Sequence, residues 1–114
     1  ATSFYEWQAS PGGGKKQPMD IALENGEPFA FAGLWSRWER GDDQLETCSI
    51  ITTSANEAVE PIHDRMPVIL HVEDYDTWID PAAKPVALTD LLRPYEGPLR
   101  VRPVDSLVPH EEVL

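Results

Sequence analysis

Three consecutive ionisable residues, His63, Asp64 and Arg65, lie between Pro61 and Pro67 in the segment EPIHDRMPVIL. A histidine side chain gains and loses a proton near neutral pH, so His63 is a candidate general acid or base. Two prolines restrict the backbone around it, and rigidly held loops are common places for functional groups. The alternative is a surface histidine in a polar turn, and the residues of this segment leave both interpretations open.

The carboxylate of Glu6, in the segment FYEWQ, is the second candidate for proton transfer. Bulky and polar residues alternate from Phe4 to Gln8, which predicts a half-buried strand. A carboxylate among aromatic side chains loses hydration, and this favours its protonated form, which can donate a proton. The alternative is that Glu6 lies on the solvent side of the strand.

Other reactive side chains give weaker signals. Cys48 lies among β-branched residues in ETCSIIT, a pattern that predicts a small buried apolar residue, so a nucleophilic triad of Cys48, His63 and Asp64 is disfavoured. Neither His63 nor His71 has neighbours at a recognised zinc-ligand spacing. The glycines of residues 10–18 are not spaced as in a phosphate-binding loop. We therefore expect no metal and no cofactor.

The tryptophans are predicted to be mostly core residues, although one or two of them could form a surface on which nucleic-acid bases stack. They are Trp7, Trp35, Trp38 and Trp78.

The first half of the chain reads as β structure. Asn-Gly at residues 25–26 separates two alternating segments, residues 19–23 and 29–31, which predicts a hairpin. A further turn is predicted at residues 41–42, followed by a central strand in LETCSIITTS. These elements together predict a meander of about four strands.

The second half mixes helices and strands. Ser54 with Glu57 three residues later has capping-box spacing, which predicts a short helix that ends by Glu60, because Pro61 follows. The segments VEDYDTWID and PVALTDLLRP predict two more short helices, the first with Val72 and Ile79 on its buried face together with Tyr75 and Trp78. LRVRPV predicts a last strand, and the tail PHEEVL has no clear pattern. The fold class is therefore α+β, with β structure dominant.

Size and charge limit the function. The chain has 114 residues, enough for one domain, and 20 acidic against 9 basic residues give a net charge of −11. So few cations exclude a protein that simply coats duplex DNA. A single cysteine, the lack of a long apolar run and the lack of a signal peptide predict a cytoplasmic protein that does not enter membranes.

Several segments, taken in order, resemble the SOS response-associated peptidase (SRAP) family. They are SFYEW, FAFAGLW, ETCSIITTSAN, PIHDRMPVIL and LLRPY, and the resemblance extends from residue 1 to about residue 108. It implies an SRAP-like, partly barrel-like fold and a protein that senses abasic sites in single-stranded DNA. In that family an N-terminal cysteine captures the sugar aldehyde as a Schiff base and then as a thiazolidine crosslink. Peptidase activity there is chiefly self-processing.

The resemblance also implies roles for individual residues. Glu6 corresponds to the glutamate that handles protons at the sugar, and His63 to the histidine that assists Schiff-base chemistry and crosslink reversal. Arg65 corresponds to an arginine that contacts DNA phosphate. Thr52 and Thr53 are expected near the same cleft.

The chain also departs from the family pattern. Its first residue, Ala1, has an amine but no thiol, and the segment that carries the family's cysteine is not among these residues. We therefore expect residues 1–114 to form a single partial domain, the C-terminal portion of an SRAP domain, inactive by itself, and self-association of this portion is a further hypothesis. Two other interpretations stay open: a thiol peptidase that acts on proteins, and a non-enzymatic remnant that binds single-stranded DNA.

Overall fold

The computed structural model describes residues 1–105, and this part of the chain is mostly β structure with two short α-helices. The strands are β1 (Phe4–Gln8), β2 (Gln17–Leu23), β3 (Ala30–Phe31), β4 (Gly33–Arg40), β5 (Asp43–Ile50), β6 (Thr52–Ser54), β7 (Arg65–Pro67), β8 (Ile69–Leu70) and β9 (Leu99–Pro103). The helices are α1 (Tyr75–Ile79), preceded by a 3₁₀ turn (Val72–Asp74), and α2 (Pro85–Thr89). The predicted tail PHEEVL lies outside the described residues. No helix within them is long and apolar enough to cross a membrane.

An antiparallel sheet with strand order β1-β2-β9 forms one wall of the core. Its register places Phe4 opposite Ile21 and Ile21 opposite Val101, so these three apolar side chains share the inner face. Phe4, Phe29 and Phe31 contact one another edge to face, at centroid distances of 5.3 to 6.4 Å. Such contacts stabilise the core beyond the area they bury. The strands predicted at residues 4–8 and in LRVRPV are confirmed.

Two groups of buried apolar residues make up the core. The larger group packs under this sheet and comprises Ile21, Phe29, Val59, Ile62, Met66 and Ile69. The smaller group comprises Ala32, Val68 and Leu70, and it is covered by Tyr75 and Trp78 of α1 and by Leu91 and Leu92, which follow α2. Val72 and Ile79, predicted on the buried face of their helix, are exposed instead, because the first residues of the segment form a 3₁₀ turn and alter the face presented.

The hairpin predicted at Asn25-Gly26 does not form, and the turn lies one residue earlier, closed by a hydrogen bond from the Gly26 N–H to the Leu23 carbonyl at 3.0 Å. Gly26 has a φ of +75°, and the Asn25 side chain accepts a hydrogen bond from the Glu27 N–H at 2.9 Å. A two-residue I′ hairpin needs positive φ at both turn residues, and only Gly26 has it. β2 pairs with β1 and β9, whereas β3 pairs with β8, so the predicted meander is wrong here. The turn at residues 41–42 does connect paired strands, with Arg40 opposite Asp43.

The helix predicted from Ser54 is absent, because Ser54 belongs to β6 and pairs with Arg65. Asn56 begins a series of turns in its place. Its side-chain oxygen accepts a hydrogen bond from the Val59 N–H at 3.1 Å, and its amide donates to the Tyr95 carbonyl at 2.9 Å. The side chain that caps these turns is therefore that of Asn56, two residues after Ser54, where the sequence pattern predicts a cap. The turns lead directly to His63.

Candidate functional site

β1 presents Glu6 to the loop that carries His63. Side chains alternate along the strand, so Glu6 lies on the face of Phe4 and Gln8, whereas Tyr5 and Trp7 are exposed on the other face. The Glu6 side chain is 23% exposed, and its Oε2 lies 3.9 Å from Nδ1 of His63. The interpretation in which Glu6 turns to the solvent side therefore does not apply, and the two candidate proton-transfer groups lie together.

The backbone on both sides of His63 is held in place. The His63 N–H donates to the Val59 carbonyl at 3.0 Å, and the preceding residue, Ile62, is part of the larger core group. The Gln8 side chain, on the Glu6 face of β1, donates to the Pro61 carbonyl at 3.0 Å. These contacts connect β1 to the loop, so they fix the spacing between Glu6 and His63.

The Nδ1 atom of His63 is surrounded by groups that suit both protonation states of the ring. The Arg65 N–H lies 3.1 Å away and donates to Nδ1 in the neutral ring, which places the ring proton on Nε2. The Arg65 carbonyl lies 3.2 Å away and Oδ1 of Asp64 3.3 Å away, and either accepts a hydrogen bond when Nδ1 is protonated. Glu6 faces the same atom. Nδ1 of His63 therefore has a hydrogen-bond partner in either protonation state: the Arg65 N–H when it is unprotonated, and the Arg65 carbonyl or Asp64 when it is protonated.

Arg65 and Thr52 lie together on the outer face of the β6–β7 pair. The Arg65 guanidinium donates from Nη2 to the Thr52 carbonyl at 2.9 Å and to Thr52 Oγ1 at 3.1 Å, and both residues are exposed. Within the described residues its Nε and Nη1 have no hydrogen-bond partner, so three N–H groups can bind an anion. Thr53 pairs with the buried Met66 and lies on the opposite face, so it does not join Thr52.

Cys48 is exposed, contrary to the prediction that it is buried. It lies in β5 opposite Trp35 of β4, and these two strands pair only with each other in the described part of the chain. The prediction that the tryptophans are mostly core residues is also wrong. Trp7, Trp35 and Trp38 are exposed, and only Trp78 is half-buried, where its indole N–H donates to the Gly33 carbonyl at 3.2 Å.

Asp64 and Gln8 belong to the site, although the sequence patterns do not single them out. Neighbouring side chains in an extended loop usually diverge, but the turn before β7 brings the Asp64 carboxylate back to the His63 ring. Gln8 follows Glu6 by two residues on a strand, and this spacing was a usable signal that both face the same way. Residues 1–105 contain no group of three or more His, Cys, Asp or Glu side chains arranged to hold a metal ion.

Comparison with known proteins identifies the family. The sequence profile described as "SOS response associated peptidase (SRAP)" matches residues 1–111. The chain belongs to the SRAP family. The chain is 45% identical over 111 residues to the abasic site processing protein YoqW of Bacillus subtilis, a match that covers 95% of this chain and 49% of YoqW. It is 42% identical to the abasic site processing protein YobE of the same organism, with 100% of this chain and 53% of YobE covered.

Two solved structures share the fold of this SRAP chain. A protein from Bacteroides thetaiotaomicron matches with a TM-score of 0.82 and 31% identity, covering 91% of this chain and 47% of that one. A protein from Bordetella bronchiseptica matches with a TM-score of 0.80 and 26% identity, covering 93% of this chain and 53% of that one. The chain thus spans about half the length of the relatives it matches.

Proposed function

We propose that this chain is the proton-transfer and DNA-anchoring part of an SRAP domain that captures abasic sites in single-stranded DNA. Relatives at 45% and 42% identity are named abasic site processing proteins, which supports this substrate. The observation that carries the proposal is the 3.9 Å contact between Glu6 Oε2 and His63 Nδ1, two residues that correspond to proton-handling positions of the family.

The proposed chemistry has two proton-dependent steps. The α-amine of an N-terminal cysteine attacks the aldehyde carbon of the ring-opened sugar, and the resulting carbinolamine loses its hydroxyl as water to give an imine. The cysteine sulfur then adds to the imine carbon, and the nitrogen takes up a proton, which closes the thiazolidine ring. The first step needs a proton donor to the departing hydroxyl and a base that removes a proton from the amine. The only cysteine of this chain is the internal Cys48, so the captured sugar would react with a cysteine outside these residues.

Glu6 and His63 are suited to these transfers. A carboxylate beside an imidazole can exchange a proton with it directly or through one water molecule, and contacts of this kind shorten when substrate binds. Because the Glu6 side chain is largely shielded and His63 is 43% exposed, a sugar can approach the ring from the solvent side. In this arrangement the two residues form one proton path, in which Glu6 exchanges a proton with the departing sugar hydroxyl and His63 passes protons between Glu6 and the nitrogen.

Arg65 serves as a phosphate anchor beside this pair. Guanidinium N–H groups bind phosphate oxygens through charge-assisted hydrogen bonds. Nη2 of the guanidinium donates hydrogen bonds to Thr52, and these bonds fix the direction of the donors on Nε and Nη1. Thr53 lies on the opposite face of the β6–β7 pair, so a role for it in DNA binding is limited to supporting that pair.

The peptidase alternative, like abasic-site capture, needs a nucleophile from outside the described residues. A thiol or hydroxyl peptidase needs a nucleophile within hydrogen-bond reach of its base. In residues 1–105 the hydrogen-bond and ion-pair partners of the His63 ring are Arg65, Asp64 and Glu6, and no serine, threonine or cysteine side chain is among them.

The test is covalent capture by a chimera in which residues 1–114 replace the matched 49% of YoqW. We expect a denaturation-resistant adduct with a single-stranded oligonucleotide carrying one abasic site, and none with an undamaged oligonucleotide. Mass spectrometry reads out the adduct, whose mass is protein plus oligonucleotide less one water. A folded chimera that forms no such adduct would refute the proposed function.

Replacement of Arg65 by alanine in this chimera is expected to weaken non-covalent binding of single-stranded DNA. An oligonucleotide with a tetrahydrofuran abasic analogue has no aldehyde and cannot be captured covalently, so it measures non-covalent binding alone. Loss of one phosphate contact should reduce the slope of log K against log salt by about 0.7. Arg93→Ala, a change at another exposed arginine, is the control. Equal slopes for both variants would remove Arg65 from the interface.

A further inference from the structure

β4 and β5 form a two-stranded ribbon, residues 33–50, in which every residue is exposed. Its apolar side chains are large, and Trp35 is 73% exposed. An isolated two-stranded ribbon is at best marginally stable in water. Contiguous exposed apolar surface on a folded domain marks a place where another surface binds.

The apolar residues lie on both faces of the ribbon. Residues directly opposite each other share a face, and faces alternate along each strand. Trp38 is opposite Leu45, and Leu34 lies on the same face. Trp35 and Ile50 lie on the other face. Most other positions on both faces are polar or charged, so each face combines exposed apolar side chains with groups that can form hydrogen bonds or ion pairs with a partner.

The base of the ribbon is fixed to the core. The Ile51 N–H donates to the Ala32 carbonyl at 3.0 Å, and the Val68 N–H donates to the Ile51 carbonyl at 2.9 Å. The Trp78 indole N–H also donates a hydrogen bond to the Gly33 carbonyl. The ribbon therefore projects in a defined direction, and a partner that covers it meets the rest of the domain in one orientation.

We propose that the ribbon is the docking surface for the other half of an SRAP domain, a segment that carries net positive charge. Two solved chains share the fold of this one at TM-scores of 0.82 and 0.80, yet it covers only 47% and 53% of them, so each has about as many residues again. A net charge of −11 on this chain favours a cationic partner and opposes a second copy of itself, because like charges repel across an interface.

Mixing the 114-residue chain with the part of YoqW that lies outside its matched region tests this directly. We expect a one-to-one complex by light scattering and a blue shift of tryptophan fluorescence, because Trp35 and Trp38 leave water. Binding requires no abasic DNA, so this result is independent of whether the assembled domain captures an abasic site.

Surface variants identify the ribbon as the contact. Trp35→Ser changes one face and Leu45→Ser changes the other, and each is expected to weaken the complex about tenfold or more, as truncation of a central interface residue does. Val86→Ser is the matched control, because Val86 is 64% exposed on α2, outside the ribbon, and should leave binding unchanged. Circular dichroism shows that each variant is folded.

Three outcomes would overturn the proposal. They are no complex with that part of YoqW, a complex that both ribbon variants leave intact, and a homodimer of this chain that the ribbon variants dissociate. The last would mean that a second copy covers the ribbon.

Discussion

In the chimeric SRAP domain, His63→Ala is expected to slow covalent capture of an abasic site by about 10²- to 10⁴-fold, the usual contribution of a positioned general acid or base. The variant removes the ring whose Nδ1 faces Glu6 at 3.9 Å and keeps the bond from the residue 63 N–H to the Val59 carbonyl, although the Arg65 N–H loses Nδ1 as its acceptor. Crosslink formation over time on a denaturing gel measures the rate. Capture at the unchanged rate by a folded His63→Ala variant would show that the ring takes no part in the chemistry.

Glu6→Gln is the companion variant, because the amide keeps the shape of the side chain and cannot carry the proton. We expect a loss of about tenfold or more in the same assay, toward the lower end of the range for general acid–base groups. Glu27→Gln is its matched control, an identical chemical change at an exposed glutamate in the loop before Phe29. His71→Gln serves the same purpose for His63, since His71 stacks on Tyr95 and has no contact with Glu6 among its described interactions.

The largest effect on stability is expected from Met66→Ala. Met66 is 1% exposed, belongs to the larger core group, and its sulfur accepts a hydrogen bond from the Asn56 N–H at 3.3 Å. Truncating a buried methionine to alanine costs about 2 to 5 kcal/mol of unfolding free energy, because a cavity remains. For a domain of this size each kcal/mol lowers the melting temperature by about 4 to 8 °C, so a loss of about 10 °C or more is expected.

Thermal unfolding of the 114-residue chain, followed by circular dichroism, measures this loss. Val86→Ala is the control, because Val86 is exposed on α2 and its truncation should change stability by less than about 0.5 kcal/mol. Equal melting temperatures for the two variants would show that Met66 does not support the core as the structure indicates. Because Met66 directly follows Arg65 in β7, its loss is also expected to loosen the site.

Local patterns predicted the strands and some turns well, but they did not predict the strand pairing. The alternation in FYEWQ and LRVRPV and the turn at residues 41–42 depend on neighbouring residues, and all three are confirmed. The pairing of β2 with β9 depends on the shape of the whole core, which no local pattern encodes. The Asn25-Gly26 signal was misleading for this reason. Ser54 likewise has the spacing of a helix cap, but pairing with Arg65 holds it in a strand.

Burial was the least predictable property. The β-branched residues around Cys48 correctly predict a strand, but a strand is buried only where another layer covers it. In the described part of the chain β4 and β5 pair only with each other and all of their residues are exposed, Cys48, Trp35 and Trp38 among them. Composition gives the propensity of a segment, whereas its exposure depends on which surfaces are present to pack on it.

The candidate site was accessible from the sequence because its residue types are chemically distinctive. Glu6 and His63 were selected for their capacity to move protons, and the fold brings them into contact. The link from Arg65 to Thr52 and the opposite orientation of Thr53 follow from the β6–β7 register, which the predicted helix at residue 54 had obscured. The roles of these residues in abasic-site capture remain predictions.

The most direct test of a shared Glu6–His63 proton path is a double-variant comparison of capture rates in the chimera. Residues that act as one unit give non-additive losses, whereas independent residues give losses that multiply. We predict that the Glu6→Gln, His63→Ala double variant captures an abasic site at about the rate of His63→Ala alone. A double variant slower by the product of the two single losses would contradict the shared path and assign the two residues to separate steps.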